Sequence, residues 1–387
     1  MPVLGLRGSG SFSSDERPKN YRETILLLFP NASAPLTAIL SKLKDEQTDD
    51  PEFKWFEKGL PSQRATVEGS QTSGDTVIEL EVSADNKKFK PGHAVLNERT
   101  LEVMWVTASA AAGQITVIRG KGSVAAAMND GDGLLIVGTH YPEGASAPVA
   151  VSYDPTVVSN YTQIFRTSLD VTRTAKATKI RYADGQYIKE AKREALELHS
   201  VEMERAFMFG SQVEDVSGAQ PDRTTKGLLF FITTNVKDFA GTVDIASWEN
   251  YMEDIFESGS NEKLLLCGNR ALNVLNKLAR AHHTINATPT SDSYGVQMTT
   301  WLTPYGTLQI KQHPLLSENP SFNDWGFIID PAKVVYRYLR GGDTQYKENI
   351  QSPGDDATKN EFLTECGLEV QHQVAHGFFK DATAFAA

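Results

Sequence analysis

Side chains with chemical capacity are spread thinly through this sequence. His372 and His376 stand four residues apart, a spacing that on a helix brings two imidazoles to one metal ion. Here Leu368, Val370, His372, Val374, His376 and Phe378 alternate with Glu369, Gln371, Gln373 and Ala375, which is the period of a strand. Strand residues four apart are separated by about 13 Å, so this pair is not expected to share an ion. Asp130 and Asp132 alternate with Gly131 and Gly133 as in a calcium loop. No glutamate stands at the twelfth loop position, and a hairpin turn accounts for them. Cys267 closes an apolar run ahead of a helical stretch, where a thiolate could be stabilised, but no partner is identifiable. With Cys366 it makes up the whole cysteine content, too little for a zinc site or a disulfide framework. Both are read as inert thiols of a reducing compartment.

His282 and His283 follow Lys277 and Arg280 at a helix end, where positive or polar groups complement the dipole and its open carbonyls. Gly8-Ser9-Gly10 follows no strand, and Gly120-Lys121-Gly122-Ser123 lacks the spacing of a phosphate loop, so both read as turns. No spacing among the carboxylates singles out an acid/base pair. The sequence therefore assigns no catalytic, cofactor-binding or metal-binding residue, and the expectation is that the protein is not an enzyme.

The elements around these residues belong to an ordinary folded chain. It has 387 residues, 38 Lys and Arg against 49 Asp and Glu for a net charge of −11, and 40% hydrophobic residues. That length predicts about two or three domains. The longest apolar runs, Ile25 to Phe29 and Leu228 to Ile232, fall far short of the roughly 18 residues of a membrane helix. The opening MPVLGLRGSG has no apolar signal core, so the sequons at Asn31, Asn160 and Asn286 are read as chance. The acidic balance argues against tight, sequence-independent binding to nucleic acid, which draws its affinity from Lys and Arg at phosphates.

Along the chain, residues 1–20 read as a flexible arm. Ser33 caps a short helix carrying Leu36, Ile39, Leu40 and Leu43, which DEQTDDP at 45–51 ends. Phe53, Trp55 and Phe56 open an extended stretch, 52–69. Residues 70–140 have the texture of a small β module. Ile78, Leu80 and Val82 alternate with acids, Leu101, Val103 and Trp105 repeat the pattern, and Ile115 with Val117 and Leu134 to Val137 add strands. Its turns fall at Pro91-Gly92, Gly113, Gly120 to Gly122 and Asp130 to Gly133. Residues 145–174 are again extended and polar.

Tyr182 to Gly210 is the strongest helix, with Tyr187, Ala191, Leu198, Val201 and Met208 as its stripe and Lys189, Lys192, Arg193, Glu197 and Glu204 covering the rest. Its core of more than 20 residues spans at least about 30 Å. Beyond it the pattern predicts a strand over Gly227 to Thr233 and a helix capped by Ser247 with Trp248, Tyr251, Met252 and Ile255. A strand over Leu264 to Cys267 then leads to a helix with Leu272, Leu275 and Leu278. Later strands are Leu308 to Ile310, Gly326 to Ile329, Val334 to Leu339 and Phe362 to Phe379. No fixed-period repeat is visible.

This order of parts resembles the major capsid protein of tailed bacteriophages, with its Hong Kong 97-type shell fold. NYTQIFRTSLDVTRTA at 160–175, the helix ending ERAFMFGS at 204–211 and TTKGLLFFI at 224–232 are similar to one branch, the SU-ten-like capsid proteins. DPEFKWFEKGLPSQRATV at 51–68, DPAKVVYRYLR at 330–340 and LEVQHQVAHGFFK at 368–380 fit the same branch. The resemblance implies an α+β, Hong Kong 97-like fold. In it 1–50 is an N-terminal arm and 51–175 an extended loop, with limbs 51–69 and 145–175 and the β domain 70–140 inserted between them. It makes 176–240 the peripheral domain with its spine helix, 241–320 the axial domain and 321–387 the returning strands.

The implied function is structural: a capsid subunit assembling with itself into hexamers and pentamers of an icosahedral head, in the host cytoplasm, around DNA that it does not bind specifically. Scaffolding, portal and decoration proteins are the implied further partners, scaffolding as a separate chain, with no membrane and no cofactor. An isolated two-stranded ribbon is marginal in water, and aromatic residues are enriched in interface cores. Phe53, Trp55, Phe56, Tyr161 and Phe165 are therefore the candidate subunit contacts, the alternative for Phe53, Trp55 and Phe56 being that they pack under the chain's own β module. The alternatives are an encapsulin-type compartment, an α/β enzyme with a pocket beside Cys267 or His282, and a tail or decoration protein.

Overall fold

A computed structural model describes residues 36, 44–109, 113–146, 148, 152–178, 187–281, 289–293 and 296–385. Most of the expected arm, Gly8 to Gly10, the remainder of the Ser33-capped helix, His282-His283 and the sequons at Asn31 and Asn286 lie outside them. The chain divides into two compact units, Phe56–Val157 and the segments Met1–Trp55 with Val158–Ala387.

Phe56–Val157 holds six short strands: Arg64–Thr66, Val77–Glu79, His93–Asn97, Val103–Ser109, Gln114–Ile118 and Gly133–Thr139. They pair antiparallel in the order first, sixth, third, fourth, fifth, second. The two edge strands then meet. Val67 bridges Leu80, Glu68 N–H donates to the Glu79 carbonyl at 2.9 Å, and Glu81 N–H to that of Thr66 at 3.1 Å. The sheet is thus a small closed barrel filled by Val67, Ile78, Leu80, Phe89, Met104 and Leu134, among others, and closure removes its exposed edges.

One strand runs in the opposite phase to the sequence expectation. Met104 and Val106 point inward with Glu102, while Leu101 is 66% exposed at φ 56°. Both phases of this strand are apolar, so alternation alone could not choose between them. The tight turn, in which Asn97 N–H bonds the Glu102 carbonyl, places Glu102 inside. Glu102 is fully buried and pairs with Arg119, whose Nε and Nη2 reach its two carboxylate oxygens at 2.8 and 2.7 Å. The same carboxylate accepts the Gly120 and Ala126 amides, and Arg119 Nη1 donates to the Thr72 and Asp75 carbonyls. One ion pair thereby fastens two turns to the barrel.

The larger unit contains a five-stranded and a seven-stranded sheet. In the first, Ala357–Val370 pairs antiparallel with Gln163–Thr172 on one side and with Val334–Leu339 and Gln345–Lys347 on the other. Asp45–Thr48, expected only to end a helix, is a strand parallel to Val334–Leu339, and Arg337 ties it in by contacting both Glu46 and Glu369. Gln163–Thr172 buries Phe165, Leu169 and Val171 on alternate positions. The segment read as an extended limb reaching residue 175 is therefore sheet-bound over Gln163–Thr172 and turns helical at Arg173–Ala177. Glu52–Glu57 and Thr156–Tyr161 pair as a two-stranded ribbon.

The seven-stranded sheet runs Val236–Asp238, Gly377–Lys380, Gly326–Ile329, Glu262–Cys267, Thr307–Gln312, Val296–Leu302, Pro289–Ser293. Leu265 and Cys267 face a core closed by the helices Ile245–Phe256 and Asn269–Ala281, while Leu264 and Leu266 face a second core containing the C-terminal end of the long helix Tyr187–Phe209. The first of these helices is capped by Asp244, whose side chain accepts the Ser247 amide, and not by Ser247 itself.

Three further expectations change. The buried face of Tyr187–Phe209 is Ala191, Ala195, His199, Met203, Glu204 and Phe207, with Met208 alongside; Leu198 is 54% exposed. Leu228–Phe231 is a single helical turn and not a strand. A run of five apolar residues fits either, and the close approach of Gly227 to Gly210 decides it. Their backbones bond at 2.7 Å, and a Cβ at Gly227 would lie 2.7 Å from the Ala206 carbonyl oxygen. Finally, the expected strand Phe362 to Phe379 is two strands in different sheets, separated by a turn with His372 at φ 52° and a 3-10 stretch Gln373–Ala375.

Replacing Glu102→Gln leaves Arg119 as a buried charge without its counter-ion and is expected to lower the barrel's opening free energy by about 3 kcal/mol. Hydrogen-exchange mass spectrometry on the full chain measures this as faster exchange over residues 70–76 and 120–126. Unchanged protection there would contradict the role given to this pair.

Candidate functional site

Several titratable groups inside the larger unit are engaged with the chain itself. Lys263, on the central strand, is 1% exposed, and its Nζ donates to the Ser258 and Ala375 carbonyls at 2.8 and 2.6 Å. Burial draws its pKa down to about 8. Beside it, the fully buried His376 accepts the Asp330 N–H at Nδ1 (3.2 Å) and donates from Nε2 to the Gln371 carbonyl (3.3 Å). Burial pushes its pKa down to about 4. Asp330 in turn accepts the Ser260 and Ala332 amides. These bonds stitch the turn at 371–376 to the central strand. The two histidines therefore lie across a turn and not along one strand, and only His376 is enclosed.

Glu204, expected on the solvent side of the long helix, is fully buried. Its Oε1 meets His313 Nε2 at 2.7 Å and accepts the Leu36 N–H at 2.7 Å. This carboxylate joins the helix, the end of a sheet strand and the N-terminal segment. His199 is likewise buried, with Thr167 Oγ1 at 3.0 Å from Nδ1 and Thr364 Oγ1 at 2.8 Å from Nε2, and burial lowers its pKa. Cys267 and Cys366 have no exposure, and burial raises both thiols to about 12, the opposite of an activated nucleophile. In the barrel, Asp132 is held at about 2, first by Arg99 and then by the Asn129 amide and Asn97, while Asp130 accepts the Gly69 amide. Among the described residues, no group of His, Cys, Asp and Glu is placed to hold a metal ion.

Apolar groups show the reverse arrangement at several places. Of the five expected contact residues, Phe53, Trp55 and Phe165 are 5%, 8% and 5% exposed and belong to the chain's own core. Trp55 lies 6.1 Å from the Phe53 ring and 6.1 Å from that of Phe231, and Phe165 packs edge-on to Phe207. Their burial is complete without a neighbour, which corrects their assignment as contacts. Strand alternation sends Phe56 to the other side, where it is 73% exposed. Tyr161 is partly exposed, its hydroxyl donating to Glu214. Leu60, at 94%, and Val157, at 53%, were not among the expected contacts, although Leu60 stands between Gly59 and Pro61, where no periodic face could bury it.

The buried polar groups are thus held in structural bonds, while Phe56, Leu60 and Val157 are left exposed. A family model described as the SU10 major capsid protein matches residues 7–383. The chain belongs to that family. Among its relatives, the major capsid protein of Pseudomonas phage PaMx41 is 27% identical over 357 residues, covering 87% of this chain and 82% of that protein. Among solved structures, the capsid of an empty GTA particle aligns over 97% of this chain and 98% of its own, with a TM-score of 0.50 at 9% identity. A Microbacterium phage Oxtober96 chain aligns over 96% of each, with a TM-score of 0.48 at 10% identity. The fold is Hong Kong 97-like, and the protein is a structural subunit of a phage capsid. No helix among the described residues is long and apolar enough to cross a membrane.

The His376 environment gives this subunit a definite acid response. Its folded pKa of about 4 lies below the ordinary 6.5, so between these values the unfolded chain binds the proton more readily. The contribution to stability is complete above pH 6.5 and is lost as the pH falls toward 4, by roughly 3 kcal/mol at most. The thermal midpoint of the unassembled chain is expected to fall less between neutral pH and about pH 5 in His376→Asn than in the wild type. Equal falls would remove the assignment.

Proposed function

We propose that this capsid subunit assembles with copies of itself into hexamers and pentamers that close an icosahedral head around double-stranded DNA, without catalytic activity of its own. The observation that carries the reading is the exposure of Phe56 and Val157 on the paired strands Glu52–Glu57 and Thr156–Tyr161, and of Leu60 just beyond the first of them. Burying such side chains against a neighbour contributes about 1.5–3 kcal/mol each, so subunit contacts supply stability that the isolated chain lacks.

In this reading residues 1–50 are the arm and the excursion after residue 51 is the extended loop, with the barrel as its insertion. Residues 176–240, 241–320 and 321–387 make up the peripheral domain, the axial domain and the returning strands. Phe56 and Tyr161 keep the role of subunit contacts, joined by Leu60 and Val157. Phe53 and Trp55 act one step back by anchoring the ribbon from which Phe56 projects, and Phe165 stays in the core of the five-stranded sheet. Assembly takes place in the host cytoplasm, with scaffolding, portal and decoration proteins as further partners. Family membership favours this reading over an encapsulin-type compartment.

Size-exclusion chromatography with electron microscopy of the purified chain tests it. The wild type is expected to form rings or shells. Phe56→Ser with Leu60→Ser is expected to need at least about tenfold more protein to do so, with its thermal midpoint little changed. A wild type that stays monomeric at high concentration in every salt condition would overturn the reading.

The charge of −11 has a place in the same reading. A container for packed DNA must confine it without adhering, and an acidic lining leaves the phosphates hydrated. The unassembled subunit is therefore expected to leave the electrophoretic mobility of double-stranded DNA unchanged at physiological salt. Strong, sequence-independent retardation would count against it.

A further inference from the structure

The two helices that cover one face of the seven-stranded sheet each carry a single sign of charge. Ile245–Phe256 presents Glu249, Glu253 and Asp254, with Glu257 directly after it, and contains no Lys or Arg. Asn269–Ala281 presents Arg270, Lys277 and Arg280 and contains no Asp or Glu. All seven charged residues are exposed, whereas Trp248, Tyr251, Ile255, Val274, Leu275 and Leu278 of the same helices meet in one core. Among the described residues, none of the seven takes part in an ion pair within the chain.

A surface helix ordinarily intersperses the two signs so that residues three or four apart attract. Here Glu249 and Glu253, then Glu253 and Glu257, are like charges at four-residue spacing, and Lys277 and Arg280 are like charges at three. Each pair disfavours its own helix slightly, and the charge that would relieve it sits on the other helix, out of ion-pair reach. The match is between two surfaces of one chain, so a second copy supplies the missing partner of each.

We propose that the acidic helix Ile245–Phe256 of one subunit docks against the basic helix Asn269–Ala281 of the next copy, head to tail around a ring. This rests on the self-assembly reading above and names one of its contacts. A head-to-tail contact uses each surface once per subunit and leaves neither over when the ring closes. Opposite charges across it set register and speed encounter more than they add affinity, so ring formation weakens with added salt.

The test uses the full chain in three variants. Glu249→Lys with Glu253→Lys, and separately Lys277→Glu with Arg280→Glu, place like charges across the contact. Each is expected to raise the concentration needed for rings or shells at least about tenfold while circular dichroism stays that of the wild type. The four substitutions together restore opposite charges and are expected to return assembly to near the wild-type concentration. Reversals that assemble like the wild type, or a folded fourfold variant that does not recover, would overturn the contact. So would dimers as the sole product, or a basic-helix reversal that loses only DNA encapsulation. A wild type that fails to assemble would instead remove the self-assembly reading itself, so the two failures are distinguishable.

Discussion

The larger unit depends on a strand that must be apolar on both faces. Glu262–Cys267 lies in the middle of the seven-stranded sheet, between a parallel and an antiparallel neighbour, and every residue after Glu262 is buried. Alternate side chains enter different cores, so the strand cannot be amphipathic and reads as a continuous hydrophobic run. Lys263 is the exception, and its ammonium is accommodated by two backbone carbonyls at the strand's start. The helices on one side, and the long helix with the five-stranded sheet on the other, are positioned because each must cover one side of this sheet.

Polar side chains inside the fold are used as joints. Glu204 links three segments far apart in sequence, Glu102 and Arg119 hold two turns of the barrel, and His376 with Asp330 secures the turn between two sheets. In each case a desolvated polar group is matched by several hydrogen bonds, which is the condition for burying it at tolerable cost. The consequence for function is that these groups are unavailable for reaction. What remains outward are charges and scattered large apolar residues, the materials of contacts between subunits in a capsid.

Element order was legible in the sequence because periodicity survives in single strands and helices. The long helix, the strands at 262–267, 326–329 and 334–339, and the glycine-marked turns of the barrel all follow from spacing and turn chemistry. The errors share one cause. Where both phases of a segment are apolar, as over Val103 to Val106, or where a run of five fits helix or strand, as over Leu228 to Ile232, local pattern holds no information about which neighbour arrives. Phe53 and Trp55 looked like contacts waiting for another subunit because Phe231, on which Trp55 packs, lies more than 170 positions away.

By itself the sequence determined the cysteine-poor, acidic character of the chain, its succession of elements and, through the resemblance of ordered segments, its capsid fold. These depend on composition and on neighbours within a few residues. Only the tertiary structure decided that Glu204 is a buried joint, that the small β module closes into a barrel, and that Phe56 and Leu60 are left in water while Phe53 is not. Burial is set by which distant segments pack together, and a charged or aromatic residue has the same appearance in sequence whether that packing encloses it or leaves it outside.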